Sequence, residues 1–163
     1  MTFNSTWSTG CYRGTCIKLN FTAKRNNWSG IYWQYPENNW GTVPSGGYNL
    51  SGATKLTFMA KGKKGGEKIE FFVGGISGVT GDSLSKTSTG YIVLTKSWKK
   101  YSIKLKSKNL SNVIGGFGFV TNMFRNPQGA TFYLDEIEFN KSSLKDIRFP
   151  VSYEMLSDTS PDR

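Results

Sequence analysis

The fold class follows first from one stretch of the chain, Trp98-Lys99-Lys100-Tyr101-Ser102-Ile103-Lys104-Leu105-Lys106. Tyr101, Ile103 and Leu105 alternate with polar residues, most of which are lysines. Because successive side chains of a β-strand point to opposite faces of a sheet, this pattern predicts a strand with one buried and one wet face. Apart from a turn or two near residues 142–147, no comparable stretch of the chain repeats its apolar residues with the period of a helix.

Other segments of the chain show the same character. We predict seven further strands, at residues 17–22, 30–34, 55–61, 68–73, 91–95, 114–121 and 131–139. Runs rich in glycine, proline and asparagine separate them, and the chain contains 19 glycines in all, which suits many tight turns. The sequence therefore predicts an all-β jelly-roll β-sandwich of about eight or nine antiparallel strands.

Length and composition predict one domain with a short appendage. The 163 residues are 37% hydrophobic, and no apolar run approaches the roughly 20 residues of a membrane-spanning helix, so we expect no membrane insertion. We predict a β-sandwich over residues 1–140 and a C-terminal extension or linker over 141–163, because the final residues are polar and contain a proline. The expected assembly is a monomer within a multidomain protein.

The net charge of +10 is unevenly distributed. From Lys141 onward four basic and four acidic residues cancel, whereas the first 140 residues carry 17 basic and 7 acidic residues. This positively charged part of the chain, which we call the body, could attract an acidic polysaccharide, a nucleic acid or an anionic surface. A soluble, lysine-rich surface with no charged partner is the simpler interpretation, and both stay open.

The chain contains no histidine, which excludes Ser-His-Asp and Cys-His catalytic arrangements and histidine-containing zinc sites. A glycosidase needs two carboxylates roughly 5 to 9 Å apart, and no pair among the seven carboxylates of the body has a suggestive spacing. We therefore expect a protein that is not an enzyme. A small polysaccharide lyase or hydrolase is the alternative, since jelly-roll lyases can use lysine, arginine or tyrosine as a base.

The two cysteines, Cys11 and Cys16, lie close together in the sequence. A disulfide between them is sterically possible and would indicate an oxidising compartment, while two free thiols are the alternative. Six Asn-x-Ser/Thr sequons favour a secreted or cell-surface protein. No signal peptide is visible after Met1, so we expect that it has been removed or that the chain is an excised module.

The strand predicted at 131–139 changes phase in its middle. Phe132 and Leu134 share one phase, whereas Ile137 and Phe139 take the other. A β-bulge near Asp135 would let all four side chains face the core. It would also re-aim a carboxylate and free a backbone carbonyl, which are ligands suited to calcium. An ordinary bulge with a hydrogen-bonded aspartate is the alternative.

Short sequence motifs appear in a characteristic order along the chain, at residues 28–41, 50–58, 74–76, 82–83, 94–98, 114–117 and 132–137. Together they resemble the galactose-binding-like jelly-roll modules, especially the carbohydrate-binding modules of bacterial glycoside hydrolases and surface proteins. The resemblance covers roughly residues 10 to 140. It implies a non-catalytic, lectin-like module that targets a larger secreted or surface protein to a polysaccharide. It also implies a structural calcium ion with Asp135 as a ligand, although the second acidic ligand near the start of such modules is missing here.

Sugars present an apolar C–H face and a rim of hydroxyl groups. A binding site therefore combines exposed aromatic rings with amide, carboxylate or guanidinium groups. Aromatic residues within turns are the better candidates, because no core needs them there. We predict carbohydrate contacts from Trp33, Tyr35, Asn38, Trp40, Asp82, Phe124 and Arg125.

Polyanion binding is the alternative function. Lys100, Lys104 and Lys106 form a stripe on the wet face of one strand, which could contact phosphates or an acidic polysaccharide. No nucleic-acid recognition motif accompanies them, and the aromatic residues are not interleaved with these lysines, so nucleic acid is the less favoured partner. Stacking on sugars should survive moderate salt, whereas phosphate contacts should weaken steeply.

Overall fold

The computed structural model describes residues 1–141, 147–148 and 154–157. Within these ranges the chain forms eleven strands and no helix: β1 Thr2–Trp7, β2 Cys16–Phe21, β3 Trp28–Gln34, β4 Ala53–Gly62, β5 Lys68–Val73, β6 Thr87–Val93, β7 Lys99–Lys104, β8 Gly115–Asn122, β9 Ala130–Lys141, β10 Ile147–Arg148 and β11 Glu154–Ser157. All strand pairs are antiparallel. The part of the chain that is described holds no helix long and apolar enough for a membrane span.

The strands form two sheets. The first has the order β1-β2-β9-β4-β7, with β10 beside β9, and the second has the order β11-β3-β8-β5-β6. Strands that follow one another in sequence often lie in different sheets, as β2 and β3 or β4 and β5 do, so the chain crosses repeatedly between the layers. The predicted antiparallel β-sandwich is confirmed.

Strands β10 and β11, which lie in the predicted C-terminal extension, were not predicted, and strand β1 was also missing from the predicted set. It is an edge strand that pairs with β2 alone, and its side chains are at best half-buried. Four of its six residues are polar, so little apolar alternation marks it in the sequence. Its pairing with β2 is a tertiary feature that local composition does not signal.

The core lies between the sheets and is rich in phenylalanine. Pairs of rings from facing sheets meet there: Phe58 of β4 lies 4.6 Å from Phe71 of β5, and Phe119 of β8 lies 5.1 Å from Phe132 of β9. All four side chains are fully buried. Burial of such a side chain contributes about 1.5–3 kcal/mol, so these pairs fix how the two sheets stack.

A second, smaller apolar cluster covers the outer face of the second sheet. It consists of Tyr32, Phe72, Ile76 and Ile114, with Val120 packed against it. The alternation of β3 and β5 sends the neighbours of Tyr32 and Phe72 inward to the main core, so these two rings point outward. This cluster supports the loops that carry the exposed aromatic residues.

Strand β9 contains an irregularity at the expected place. Thr57 of β4 pairs with Glu138, and Met59 of β4 pairs with Asp135. Between these two pairs β4 has one residue and β9 has two, so β9 contains one extra residue. Glu136 adopts a φ of 47°, in the left-handed region that non-glycine residues rarely occupy. The extra residue lets the side chains on both sides of the bulge face the core.

The C-terminal extension is described only in part. Residues 147–148 pair with β9, and residues 154–157 pair with β3 at the edge of the second sheet. Of the C-terminal extension or linker predicted over 141–163, residues 142–146, 149–153 and 158–163 lie outside the described residues. The division of the chain near residue 140 stays a prediction.

Candidate functional site

Trp33 lies in the core and not at a surface. Its side chain is 4% exposed, and its ring centroid lies 5.4 Å from that of Phe117 and 6.2 Å from that of Phe119. In β3 the side chain of Ile31 also faces inward, whereas Tyr32 between them faces outward. The structure therefore corrects the prediction for Trp33, because a buried ring has almost no face for a sugar to contact.

The other predicted contact residues divide between the two ends of β3. One group, at the end where β3 finishes, is Tyr35, Asn38, Trp40 and Asp82. The other group follows β8, which runs antiparallel to β3, and is Phe124 and Arg125. A seven-residue strand spans about 20 Å, so a single sugar ring cannot contact both groups.

Three aromatic residues of the β3–β4 connection form what we call the aromatic loop surface: Tyr35, Trp40 and Tyr48. Tyr35 and Trp40 are each 44% exposed. Tyr35 stacks on Tyr48 with 4.2 Å between ring centroids and 23° between ring planes. Trp40 meets Tyr32 edge to face at 6.2 Å. Each exposed ring is thus held in place by a second ring behind it.

A buried asparagine shapes this loop. The Asn39 side chain is fully buried, and its Oδ1 accepts hydrogen bonds from the backbone N–H groups of Gly41, Thr42 and Val43 at 3.0 to 3.3 Å. The neighbouring Asn38 is exposed and has a φ of 60°, a conformation that asparagine tolerates better than most residues. Asn39 therefore fixes the loop, while the amide of Asn38 is accessible to a ligand.

Asp82 ties two loops together. Its Oδ1 accepts the N–H groups of Ile114 and Gly115 at 2.6 and 3.1 Å, and its Oδ2 accepts the N–H of Ile76 at 2.8 Å. Burial raises the pKa of Asp82 above its ordinary value, although these three hydrogen bonds act in the opposite direction. Since a carboxylate has about four acceptor positions, little capacity is left for sugar hydroxyl groups.

Tyr91 is a candidate residue that the sequence analysis missed. Its ring lies 4.8 Å from the Arg125 guanidinium, and its hydroxyl accepts a hydrogen bond from Asn122 Nδ2 at 3.0 Å. Phe124 beside them is 74% exposed. Alternation along its strand could have shown that the Tyr91 side chain points away from the core. Only the folded chain shows that Tyr91 lies beside the turn that follows β8.

No protein-family model matches the chain, and no curated protein matches it. Solved structures, in contrast, match over most of its length. The family 30 carbohydrate-binding module of the cellulosomal cellulase Cel9D-Cel44B of Clostridium thermocellum superposes with a TM-score of 0.56, covering 88% of this chain and 84% of that one at 15% identity. The chain has the jelly-roll fold of a carbohydrate-binding module.

Two further structures show the same jelly-roll fold. The family 11 module of the cellulosomal cellulase Lic26A-Cel5E of Clostridium thermocellum gives a TM-score of 0.55 at 16% identity, covering 86% of this chain and 82% of that one. A family 11 module of that organism in complex with a β-1,3-1,4-mixed-linked tetrasaccharide gives 0.51 at 15% identity, covering 83% and 79%. The predicted jelly roll and the resemblance to carbohydrate-binding modules are confirmed, and at these identities the likeness concerns the fold.

The resemblance predicts Asp135 as a calcium ligand, but its carboxylate accepts hydrogen bonds from backbone N–H groups. Its Oδ2 accepts the N–H of Arg13 at 2.9 Å, and its Oδ1 accepts the N–H of Glu136 at 2.8 Å. The Arg13 Nε also lies 3.9 Å from Glu136 Oε1. Calcium takes six to eight oxygen ligands, and the described residues hold no group of three acidic, cysteine or histidine side chains placed for a metal. Both carboxylate oxygens of Asp135 face N–H groups, which favours the hydrogen-bonded bulge over a calcium ligand, and the calcium site stays a prediction.

A disulfide joins Cys11 and Cys16, whose Cα atoms are 5.4 Å apart. The loop that it closes begins beside Gly10, whose carbonyl accepts hydrogen bonds from Trp98 Nε1 at 3.0 Å and from Lys61 Nζ at 2.7 Å. These contacts attach the loop to the first sheet, on the far side of the jelly roll from Tyr32. Disulfides of this kind persist in oxidising environments.

Proposed function

We propose that this chain is a non-catalytic module that binds a polysaccharide by stacking sugar rings on Tyr35 and Trp40. The observation that carries the proposal is that both rings are about half exposed and each is supported by a second aromatic ring. The likeness to modules named as carbohydrate-binding supports it, including one in complex with a mixed-linked tetrasaccharide.

The fixed position of these rings favours binding in two ways. Each ring presents an apolar face that matches the C–H face of a sugar, and its contact area with a ligand is large. Since Tyr48 and Tyr32 already hold the two rings, little conformational entropy is lost when a sugar binds. The exposed amide of Asn38 can add hydrogen bonds to hydroxyl groups at the rim of the sugar.

Several carboxylates are used for structure, which supports a role without catalysis. Asp82 and Asp135 accept backbone N–H groups, and Glu70 pairs with Lys86 at 2.9 Å. A glycosidase would need two carboxylates facing one sugar. The disulfide supports a secreted or cell-surface location, where such a module would act as a monomeric part of a larger protein.

The test is affinity electrophoresis and calorimetry on neutral polysaccharides, namely mixed-linked β-glucan, xylan and mannan, at low and high salt. We expect retention on at least one of them that high salt does not abolish. Tyr35→Ala and Trp40→Ala should each weaken binding about tenfold or more, which corresponds to about 1.4 kcal/mol. A matched control is Tyr12→Ala, since Tyr12 is 50% exposed but lies in the disulfide-closed loop on the other sheet.

Two results would contradict the proposed binding. One is a folded wild-type protein that binds none of the polysaccharides. The other is binding that survives in both ring variants or falls equally in Tyr12→Ala. Release of new reducing ends during incubation with the bound polysaccharide would contradict the non-catalytic role.

A further inference from the structure

Two loops meet at the end of the sandwich where β3 finishes. The first is the β3–β4 connection, residues 35–48, and the second is the start of the β5–β6 connection, residues 74–83. Thr80 joins them, because its backbone N–H donates to the Gly41 carbonyl at 3.2 Å. Its Oγ1 also lies 3.0 Å from the Gly41 carbonyl oxygen and 3.2 Å from that of Val43. The two loops therefore form one continuous surface.

The contact between these loops is a close approach of backbone to backbone. A Cβ atom on Gly41 would clash with the carbonyl oxygen of Ser77, and a Cβ atom on Gly78 would clash with that of Gly41. Both glycines also have a positive φ, of 83° and 131°. Because larger residues would not fit at either position, the loops are packed together before any ligand binds.

Exposed apolar side chains are concentrated on these two loops. Val43 is 38% exposed, and Val79 near the tip of the second loop is fully exposed. Single exposed valines are common on protein surfaces, but the bonds of Thr80 place Val79 next to the segment that carries Trp40 and Val43. The valines thus extend the proposed sugar platform. We call the four exposed residues the apolar loop surface: Tyr35, Trp40, Val43 and Val79.

The apolar loop surface projects from the end of the sandwich. None of its four residues lines the cavities of about 380 and 670 Å³ that open elsewhere on the described part of the chain. A cleft surrounds a ligand with polar groups that bond to it from several sides. A projecting surface contacts its ligand from one side only, which suits a ligand that itself presents a broad face.

The two loops carry no cation. Residues 35–48 and 74–83 contain no lysine or arginine, although the chain has 21 of these residues and a net charge of +10. Lys86, the first cation after the second loop, pairs with Glu70 at 2.9 Å. The carboxylate of Asp82 accepts backbone N–H groups. Since nothing in these loops attracts an anionic polysaccharide or lipid, we expect a neutral ligand.

We infer that the apolar loop surface binds the exposed face of an insoluble, ordered neutral polysaccharide more tightly than a dissolved chain of the same sugar. The inference rests on the proposed function. In an ordered solid the hydroxyl groups bond to neighbouring chains, and apolar C–H faces are presented at the surface. The two valines pack on such a face. Beside a dissolved sugar they would displace water from hydroxyl groups and offer no hydrogen bond in return.

The probes are insoluble β-1,4-glucan and insoluble β-1,4-mannan, each paired with the soluble hexasaccharide of the same linkage. Depletion isotherms measure the dissociation constant on the solid, and calorimetry measures it for the hexasaccharide. We expect the wild-type protein to bind at least one solid about tenfold or more tightly than its hexasaccharide. A hexasaccharide that binds as tightly as the solid in both pairs, or binding to soluble polysaccharides alone, would overturn the inference.

Val79→Ser tests the contribution of the valines directly. It removes the apolar side chain from a fully exposed position, so it should weaken binding to the solid about fivefold or more and change hexasaccharide binding less than about twofold. Val93→Ser is the matched control, because Val93 is 57% exposed but lies at the opposite end of the second sheet. An equal loss in both variants, or a Val79→Ser variant that binds the solid like the wild type, would contradict the inference.

Two further measurements separate this inference from its alternatives. Co-sedimentation with phosphatidylcholine vesicles that Val79→Ser abolishes would show that the surface serves a membrane, and would also overturn the inference. Trp40→Ala should weaken binding to both the solid and the hexasaccharide, because its ring contacts the sugar in each. If Trp40→Ala changes neither, the proposed function fails, whereas a loss in Trp40→Ala without one in Val79→Ser defeats this inference alone. Unchanged circular dichroism and melting temperature would show that each variant is folded.

Discussion

Tyr35 and Tyr48 stack with 4.2 Å between their ring centroids and 23° between their planes, which closes the β3–β4 connection into a compact loop. Tyr48 is itself fixed, because its backbone N–H and C=O exchange 2.9 Å hydrogen bonds with Val113. The exposed ring of Tyr35 therefore rests on a partner that is attached to the sandwich. This arrangement makes the orientation of the proposed sugar platform a property of the fold.

The stack should appear as an interaction energy in a double-mutant cycle. We expect the unfolding free energies of Tyr35→Ala, Tyr48→Ala and the double variant to differ from additivity by about 0.5–1.5 kcal/mol, the usual value for an aromatic pair. Urea unfolding measures it. Tyr35 with Tyr12 is the control pair, and the effects of these two substitutions on the unfolding free energy should be additive. If the effects also add for Tyr35 with Tyr48, the stack does not hold the loop.

The pH dependence of stability should report on Asp82. Its pKa in the folded chain is raised by burial, so the folded state holds this proton up to a higher pH than the unfolded chain does. The contribution of Asp82 to the unfolding free energy should thus fall as the pH rises from about 3.9 through the raised pKa. Urea unfolding of the wild type and Asp82→Asn between pH 3 and 6, roughly, should show this slope in the wild type only. Equal slopes in both proteins would contradict the assignment.

Substitution of a buried tryptophan should lower the unfolding free energy more than substitution of a partly exposed one. We expect Trp33→Ala to lower the unfolding free energy by about 3–5 kcal/mol, because a cavity would form between Phe117 and Phe119. Trp28→Ala should cost less, since Trp28 is partly exposed at the start of β3. Trp33→Phe should keep the wild-type affinity for a neutral polysaccharide. A Trp33→Phe variant that is stable but no longer binds the polysaccharide would show that Trp33 belongs to the binding site.

Calcium should have no effect on stability. Both oxygens of Asp135 accept backbone N–H groups, and the charged Arg13 lies beside Glu136. We therefore expect the same melting temperature in excess calcium and in chelator. A bound ion at 100 times its dissociation constant would add about 2.7 kcal/mol to the unfolding free energy. A calcium-dependent rise that Asp135→Asn abolishes would show that the carboxylate exchanges its N–H donors for the ion.

Much of the fold could be predicted from local pattern. Strands such as β7, where Ile103 is buried and Lys104 is exposed, follow directly from alternation in the sequence. Alternation does not say which of two aromatic neighbours faces inward, because both phases of β3 carry large rings. Trp33 was therefore predicted at the surface although it packs against Phe117, and Tyr32 on the opposite face became the support of Trp40.

The residues of the candidate site were only partly visible in the sequence. Exposed rings in turns, such as Tyr35 and Trp40, stood out because a turn has no core to fill. Tyr48 and Tyr91 did not stand out, since their importance depends on partners in other segments, Tyr35 and Arg125. Glu67 follows a glycine-rich turn and nothing in the sequence marks it as buried, yet it is buried because Gly62 leaves space for its carboxylate.

The sequence alone determined the all-β class, the approximate strands and the presence of aromatic residues in turns, because these depend on short-range periodicity and on the backbone preferences of single residues. The tertiary structure decided which ring is buried and which end of the sandwich each loop occupies. Those properties depend on strand pairing between distant segments, such as β4 with β9 or β3 with β8. Local pattern cannot encode them, since they arise only when the two sheets pack together.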